Sequence, residues 1–374
     1  MPTNAYNKEE KVAFEQALEG FQDSLILSKA CTVHKTDQVM MERTNNVFWR
    51  PQPYIAMSYS GTDQTANFQK MTQLAVPATI GYSKSVPYTL SATELRDLLQ
   101  EKRFGEAAKQ RLASDINVSI MNVAALQGTI VVTKSTAAAD FGDVAALEGA
   151  FNRVGVQGGD RHLALSTADY NNLAKDLANR ANMVGNMTTE AYKRAYVGMI
   201  ASFDTYKLDY AIRLTAAAGG AGLTIDTRDS AANYWTPKAT RTATTGEMTN
   251  VDNRYQQITI TSTTDVAAGD CFTIAALDEV HHITKLDTGS LKTFRVISVD
   301  SSTLLTISPP IISAQGATIA EQQYQNCVVN TKASNSAIVF LNTVTKAVNP
   351  FWHKDAMEIL PGRYAVPDNS GAAV

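Results

Sequence analysis

One stretch of the chain, residues 91–127, has the pattern of a single long amphipathic helix. Ser91 followed by Glu94 is a capping-box motif, in which the two side chains satisfy backbone N–H groups at the start of a helix. Apolar residues then recur on one helical face at Leu95, Leu98, Leu99, Phe104, Ala108, Leu112, Ile116, Ile120, Val123 and Leu126. An unbroken helix would be about 55 Å long. That is several times the usual helix length and predicts a structural strut.

The segments before this helix predict two elements that one subunit cannot bury. Residues 1–44 contain an amphipathic helix whose apolar stripe, marked by Phe14, Phe21 and Leu25, needs a partner surface. Residues 45–90 lose helical periodicity, and their prolines disfavour a helix and favour edge strands. We therefore expect an N-terminal arm helix followed by a long extended loop, which a compact enzyme rarely needs.

After the strut, which we expect to continue into a peripheral domain to residue 140, residues 141–221 alternate between helix and strand patterns. Helices are predicted at 143–155, from a Ser166–Thr167 cap onwards, and at 188–203, with strands at 160–166 and 204–212. This pattern predicts an α+β domain.

Residues 222–333 change in composition and are rich in Thr, Ser, Val and Ile. The clearest hairpin joins two strands through Asp300-Ser301-Ser302, and a short helix is predicted near 318–325. Strands are predicted near 222–227, 255–262, 270–276, 280–284, 292–299 and 303–308. Short strands with tight turns indicate a small antiparallel barrel or sandwich. The domain is inserted, because residues 334–374 return to a mixed α/β pattern.

Composition excludes several functional classes. The chain has 374 residues, a formal net charge of −3 and three cysteines, Cys31, Cys271 and Cys327, at long spacings. This predicts neither a disulfide framework nor a zinc cluster, and it gives no case for a nucleic-acid-binding protein. The polar N-terminus does not resemble a signal peptide, and no apolar run is long enough to cross a membrane, so we expect a soluble cytosolic chain.

No residue pattern indicates catalysis. His281-His282, near Asp278 and Glu279, is the one cluster that resembles a metal site, but neighbours on a strand face opposite sides. His162, Ser166 and Asp169 lie close in sequence, yet Ser166 is better explained as a helix cap. The aromatic pairs Phe48-Trp49 and Phe351-Trp352 are interpreted as packing anchors that flank the extended loop. We therefore expect no catalytic, cofactor-binding or metal-binding residues.

The order of these elements resembles the coat-protein family of phage P22. The most specific similarity lies in VDNRYQQITITSTTDVAAGDCFTIAAL and LKTFRVISVDSSTLLTISPPII, which resemble the paired strands of that family's insertion domain. TNNVFWRPQP and NPFWHKDAMEI resemble the stretches that flank its extended loop and its return to the core. The resemblance implies the HK97 capsid fold, with an N-arm, extended loop, spine helix, core and axial domains, and an inserted antiparallel β-barrel.

The resemblance also implies a function and a set of partners. The chain would be the major capsid protein of a tailed double-stranded DNA bacteriophage, assembled in the host bacterial cytoplasm through a scaffolded procapsid that matures on DNA packaging. Its partners would be its own copies in hexamers and pentamers, a scaffolding protein, a portal, and DNA held non-specifically on the inner face, with no membrane. The chain ends earlier than this family pattern leads us to expect.

In such a shell the inserted barrel would aid folding of the subunit, and the loop at residues 236–250 would reach a neighbouring capsomer. Lys238, Arg241 and Glu247 in that loop would form ion pairs at the rim of the contact. The alternative is a cytosolic, hydrolase-like enzyme with an appended β-barrel module. The absence of a nucleophile, metal or phosphate motif and the two long extended segments favour the capsid protein.

Overall fold

The computed structural model describes most of the chain: residues 27–34, 47–52, 55–68, 71–79, 81–87, 98–156, 158–179, 197–208, 210–218, 222–225, 235–314, 318–329 and 336–361. The predicted arm residues Phe14, Phe21 and Leu25 and the capping box at Ser91 lie outside these ranges, as does the side chain of Phe48.

The described helices and strands are numbered in chain order. The helices are α1 (Leu98–Gln127), α2 (Phe141–Val154), α3 (Thr167–Asn179) and α4 (Ile319–Tyr324). The strands are β1 (Thr32–Val33), β2 (Val47–Pro51), β3 (Ala75–Thr79), β4 (Arg161–Ser166), β5 (Met199–Ile200), β6 (Phe203–Leu208), β7 (Arg213–Leu214), β8 (Thr240–Thr242), β9 (Met248–Asn250), β10 (Gln256–Thr259), β11 (Cys271–Val280), β12 (Asp287–Val299), β13 (Leu304–Ser308), β14 (Cys327–Val329), β15 (Ile338–Phe340), β16 (Lys346–Ala347), β17 (Phe351–His353) and β18 (Glu358–Ile359). The short 3-10 helices are Leu27–Ala30 and Lys354–Ala356.

The predicted strut is confirmed as α1, which runs without interruption for 30 residues. Its length is about 45 Å at 1.5 Å per residue. Ala113, Met121 and Ala125 are buried although the predicted stripe did not include them, whereas Ile116 and Val123, which belong to that stripe, are exposed. Among the described residues, the buried face of α1 is therefore turned by about one residue from the predicted face.

The chain divides into two compact units. The smaller unit comprises Met1–Asn45, Ile80–Met121 and Glu358–Val374. In it, β1 pairs in parallel with β18, and the Ser119 hydroxyl on α1 donates a hydrogen bond to the Tyr82 hydroxyl at 2.9 Å. The larger unit comprises Asn46–Thr79 and Asn122–Met357.

A mixed sheet in the larger unit has the strand order β17–β4–β6–β5, in which β4 and β6 are parallel. Helix α2 begins at a capping box formed by Asp140 and Asp143 and ends at Gly155, whose φ of 93° suits glycine. Helices α2 and α3 and the sheet share one apolar core that includes Val144, Phe151, Leu163, Leu165, Tyr170, Leu173 and Phe203. The predicted helices at 143–155 and after Ser166 are confirmed, as is the strand at 160–166.

The predicted helix at 188–203 is wrong over its C-terminal part. Residues 180–196 lie outside the described residues, but Val197 and Gly198 have no helical structure, Gly198 has a positive φ of 70°, and β5 follows them. Ala201 and Ser202 then adopt left-handed φ values of 44° and 64°, which no α-helix can contain. This tight turn allows β5 to pair in antiparallel with β6.

In the described part of the larger unit, a second sheet has six antiparallel strands, in the order β10–β13–β12–β11–β14 with β15 beside β11. The rings of Phe272 and Phe294 stack at 5.6 Å in its core. The core also contains Ile225, Ile258, Ile260, Ile274, Val296, Leu305 and Ile307. Strand β15 belongs to this sheet although it lies beyond residue 333.

The predicted strands near 255–262, 270–276, 292–299 and 303–308 are confirmed as β10 to β13. The strand at 280–284 is wrong, because β11 ends at Val280 and the chain turns so that the Lys285 amide donates to the His281 carbonyl at 2.8 Å. Near 222–227, the described residues form isolated bridges, Thr224 to Ala337 and Ile225 to Ile260, instead of a strand. The predicted short helix is confirmed as α4, with a capping box between Thr318 and Glu321.

In the extended segment, β2 and β3 pair in antiparallel from Val47 opposite Thr79 to Pro51 opposite Ala75. Residues 55–68, which lie between these strands, have no regular secondary structure. None of the described helices combines the length and the apolar character that a membrane crossing requires.

Candidate functional site

The residues of the candidate triad do not form a catalytic arrangement. The Ser166 hydroxyl accepts the Asp169 amide at 3.2 Å and donates to the Asp169 carboxylate at 2.7 Å, as a helix cap does. His162 lies four residues earlier on β4, about 13 Å away along the strand. Its Nδ1 atom instead faces the Tyr206 hydroxyl at 3.3 Å and Asp204 at 3.8 Å. His162 is therefore not placed to act as a base for Ser166.

Asp169 has a structural role. Its carboxylate accepts hydrogen bonds from the Ala138 amide at 3.1 Å and from the Asn349 side chain at 2.8 Å. The Asn349 side-chain oxygen in turn accepts the Ser166 amide at 2.9 Å. Asp169 thus joins α3 to two distant stretches of the chain.

His281 and His282 lie in the turn after β11, so the argument that strand neighbours face opposite sides does not apply to them. His281 packs against Gly155, where an added Cβ would lie 2.8 Å from its Nε2 atom. Burial lowers the pKa of His282, and Lys285 and Lys292 lower it further. A nearby pair of ammonium groups disfavours a bound cation. Among the described residues, no group of three or more His, Cys, Asp or Glu residues is placed to hold a metal ion.

The three cysteines are buried and free. Burial raises the pKa of Cys31 to about 11 and that of Cys327 to about 12, and it also raises the pKa of Cys271. The thiolate is the reactive form of cysteine, so these thiols are unreactive at neutral pH.

The buried histidines predict acid sensitivity. Burial lowers the pKa of His162, and Asp204 and Asp160 oppose that shift. The folded state therefore binds the His162 proton more weakly than the unfolded chain, in which histidine titrates near pH 6.5. The free energy of unfolding should fall as the pH drops below about 6.5, until the lowered pKa of the folded state is passed.

Urea unfolding at pH 7.5, 6.5 and 5.5 tests this expectation. His162→Phe and His282→Gln should each weaken the dependence on pH, and the double variant should weaken it further. A double variant that retains the full dependence of the parent would show that other groups cause the acid sensitivity.

The predicted bridging loop, residues 236–250, contains a short β-hairpin. Strands β8 and β9 pair from Thr240 opposite Asn250 to Thr242 opposite Met248. Arg241 lies on β8, Glu247 lies in the connecting turn, and Lys238 lies just before β8. All three side chains are exposed. Backbone hydrogen bonds between β8 and β9 hold this polar segment in its hairpin conformation.

The predicted aromatic anchors separate into different sheets. Phe351 on β17 packs in the mixed α/β core, with its ring centroid 4.8 Å from that of Phe151 and 6.2 Å from that of Phe203. Trp352 is buried, and its ring centroid lies 5.9 Å from that of His162. Trp49 lies on β2 and is about one-third exposed.

The extended segment presents apolar side chains to solvent. Phe68 is 86% exposed, and Met57, Tyr59 and Met71 are also exposed. Together with the hairpin β8–β9, this segment forms the candidate contact surface of the chain.

Some structurally important residues escaped the sequence reasoning. Arg295 on β12 is buried, and its guanidinium donates to the Gly128 carbonyl at 2.9 Å and the Gly269 carbonyl at 2.8 Å. Gly128 directly follows α1, so Arg295 binds the C-terminal end of that helix. The available signal was an arginine placed directly between the apolar residues Phe294 and Val296.

A family model described as "P22 coat protein - gene protein 5" matches residues 1–374, the whole chain. The molecule is thus a viral coat protein. The chain belongs to the P22 coat-protein family.

The resemblance inferred from the sequence is therefore confirmed, and the chain is a major capsid protein of a tailed bacteriophage. Its copies assemble into a shell, and it resides in the virion capsid. The alternative, a hydrolase-like enzyme with an appended module, has no support.

Solved structures of other phage proteins resemble parts of the chain. A structure described as "CUS-3 coat protein I-domain" is 34% identical and covers 33% of this chain and 99% of its own, with a TM-score of 0.25. A structure from Mycobacterium phage Che8 is 9% identical and covers 86% of this chain and 93% of its own, with a TM-score of 0.40. A capsid structure of the cyanophage P-SCSP1u is 14% identical in sequence, and the match covers 86% of this chain and 89% of the cyanophage chain, with a TM-score of 0.36.

Proposed function

We propose that the chain builds an icosahedral shell as an HK97-like subunit in which α1 is the spine. The proposed parts are an N-terminal arm at 1–44, an extended loop at 45–90, a spine and peripheral domain at 91–140, an axial domain at 141–221, an inserted barrel at 222–333 and a return to the core at 334–374. The unbroken α1 and the antiparallel six-stranded sheet support this division.

The observation that carries the proposal is the exposed apolar surface of the extended segment. Phe68 and Met71 cost free energy while they face water, and contact with a neighbouring subunit removes that cost. A contact that joins two different surfaces repeats around a ring, which produces closed hexamers and pentamers. The N-terminal arm with Phe14, Phe21 and Leu25 adds a second such contact.

The remaining partners follow from the family. Scaffolding protein and portal would direct assembly of a procapsid in the host bacterial cytoplasm, and the shell would mature when DNA is packaged. Contact between DNA and the inner face of the shell would be weak and non-specific, because a net charge of −3 gives the subunit no overall attraction to phosphate. The subunit needs no covalent chemistry for this role, which fits a structural protein without catalytic activity.

Expression of the chain with and without its scaffolding protein, followed by negative-stain microscopy, tests this function. We expect closed shells of uniform size with the scaffolding protein and irregular or open assemblies without it. A chain that stays monomeric at high concentration in both preparations would contradict the proposal.

The charged hairpin β8–β9 yields a prediction for shell strength. If Lys238, Arg241 and Glu247 pair with a neighbouring capsomer, the triple variant Lys238→Gln, Arg241→Gln, Glu247→Gln should give particles that dissociate at lower denaturant concentration. The effect should be largest at low ionic strength, where charges are least screened. The melting temperature of the free subunit should not change, because the three side chains are exposed.

The matched control is Thr244→Ser with Thr245→Ser, which alters the same hairpin and keeps its charges. Particles of the triple variant that are as strong as the parent's at low salt would rule out an electrostatic bridge at this hairpin.

A further inference from the structure

The returning limb of the extended segment, residues 71–79, packs against the rest of the larger unit at one buried residue. Of residues 71–79, all of which are described, only Leu74 is buried, and it packs against Ile312 and Tyr324. The Tyr324 hydroxyl accepts the Leu74 amide at 3.1 Å and donates to the Thr72 carbonyl at 3.2 Å. A single phenol therefore fixes two backbone groups of the segment.

Further hydrogen bonds hold both limbs of the segment at this point. The Gln52 amide donates to the Leu74 carbonyl at 2.9 Å, which joins the outgoing limb to the returning one. The Arg254 guanidinium donates to the Pro77 carbonyl at 3.2 Å and is itself held by Asp252 at 2.8 Å. The root of the segment is thus fixed, whereas its apolar residues project from it.

The root of the hairpin β8–β9 lies at the same place. Trp235 packs against the cluster of Leu74, Ile312 and Tyr324, and its amide donates to the Ile311 carbonyl at 2.7 Å. The indole N–H of Trp235 donates to the side-chain oxygen of Asn253 at 3.0 Å.

Asn253 closes the base of this hairpin. It is 2% exposed, and its side-chain amide donates to the carbonyls of Lys238 at 3.0 Å and Val251 at 3.1 Å. Lys238 and Val251 lie on the two limbs of the hairpin. A continuous chain of contacts therefore runs from the base of one projecting hairpin to the base of the other.

We propose that Leu74, Trp235, Asn253, Ile312 and Tyr324 form a joint that couples the orientations of the two hairpins. Buried side chains at native density cannot shift one at a time, and buried polar groups must keep their partners. A displacement of the extended segment at Leu74 is therefore transmitted through Tyr324, Trp235 and Asn253 to the base of β8–β9. Coupling of this kind acts equally in both directions.

The consequence for assembly rests on the proposed function. When a neighbouring subunit engages the extended segment, the joint reorients the hairpin that carries Lys238, Arg241 and Glu247. Contacts within a capsomer and contacts between capsomers would then form in concert. Tyr324 and Asn253 act as positioning residues, because neither reaches the proposed contacts itself.

Amide hydrogen exchange of the full-length chain, kept monomeric at low concentration, tests the coupling. Tyr324→Phe removes one oxygen atom and leaves the buried Leu74 amide without its acceptor. We expect exchange to become about tenfold faster at residues 71–79 and also faster at residues 240–251. Asn253→Asp removes the side-chain donors to the Lys238 and Val251 carbonyls. It should accelerate exchange at residues 240–251 and, through the joint, also at residues 71–79.

Tyr170→Phe is the matched control, because the Tyr170 hydroxyl accepts the Val197 amide at 3.0 Å in the mixed α/β core. It should lower the melting temperature about as much as Tyr324→Phe and leave exchange at both hairpins unchanged. The proposed joint would be contradicted if Tyr324→Phe accelerated exchange only at residues 71–79 and Asn253→Asp accelerated it only at residues 240–251. If Tyr324→Phe does not fold, the effect of Asn253→Asp on residues 71–79 decides the question.

This result is independent of whether shells form, since exchange is measured on monomers. Failure of the parent to assemble would contradict the proposed function and leave the coupling measurement intact. If the parent protein forms normal shells but the exchange experiment shows no coupling between the two hairpins, only the proposed joint is contradicted.

Discussion

A chain that lacks residues 55–71 should fold and fail to close a shell. Strands β2 and β3 pair outside the deleted region, and the bond from the Gln52 amide to the Leu74 carbonyl would still close the shortened hairpin. The deletion removes mostly exposed residues, including Phe68, so the melting temperature of the subunit should change by no more than about 4 °C. Negative-stain microscopy of the expressed variant should show no closed particles.

A point substitution refines this test. Phe68→Ser keeps the length of the segment and removes its most exposed aromatic side chain, so it should reduce the yield of shells without destabilising the subunit. Thr65→Ala is the control in the same segment, since it removes only the local hydrogen bond that the Thr65 hydroxyl donates to the Asp63 carboxylate. Normal shells from both the deletion and Phe68→Ser would show that this segment is not a subunit contact.

The second large effect is expected at Arg295. Arg295→Ala removes the guanidinium donor from the partly buried Gly128 carbonyl and from the buried Gly269 carbonyl, which keeps only a weak hydrogen bond from the Cys271 thiol, and it opens a cavity beside β12. Each unsatisfied buried acceptor costs about 1–3 kcal/mol, so the free energy of unfolding should fall by about 3 kcal/mol or more. The C-terminal end of α1 should also become less protected from hydrogen exchange, because it loses the cation that binds the Gly128 carbonyl directly after the helix.

Two further variants show whether geometry or charge matters at this position. Arg295→Lys keeps the charge but cannot bind both carbonyls with one planar group, so it should restore only part of the stability. Arg241→Ala removes an exposed arginine and should not change the melting temperature. Stability of Arg295→Ala equal to that of Arg241→Ala would show that Arg295 does not fix the end of α1.

Local periodicity predicted the elements whose cores form from neighbouring residues. The apolar spacing of α1 and α2 and the cap at Ser166 identified those helices, and alternation around Asp300 identified the hairpin β12–β13. The same reasoning failed at 188–203, where the helical spacing of Ala201 and its neighbours competes with strand pairing to β6. It also failed at 280–284, where the turn packs on the end of α2 through Gly155 and His281.

The features that sequence patterns did not reveal depend on contacts between residues far apart in the chain. Tyr324 binds Leu74 across 250 positions, and Arg295 binds Gly128 across 167. Sequence patterns report the face on which a residue lies and not its distant partner. The long-range pairing of β15 with β11 was missed for the same reason. The charged residues of 236–250 were found from composition, but their ordered hairpin depends on Asn253 at its base.

We expect the extended segment and the hairpin β8–β9 to be the contact arms of a shell-forming subunit. Electron cryo-microscopy of purified particles would show both contacts. We predict that Phe68 and Met57 lie within about 4.5 Å of apolar atoms of a neighbouring subunit in every ring, and that residues 238–247 face an adjacent capsomer. A particle in which both hairpins lie against their own subunit or remain in solvent would contradict this account.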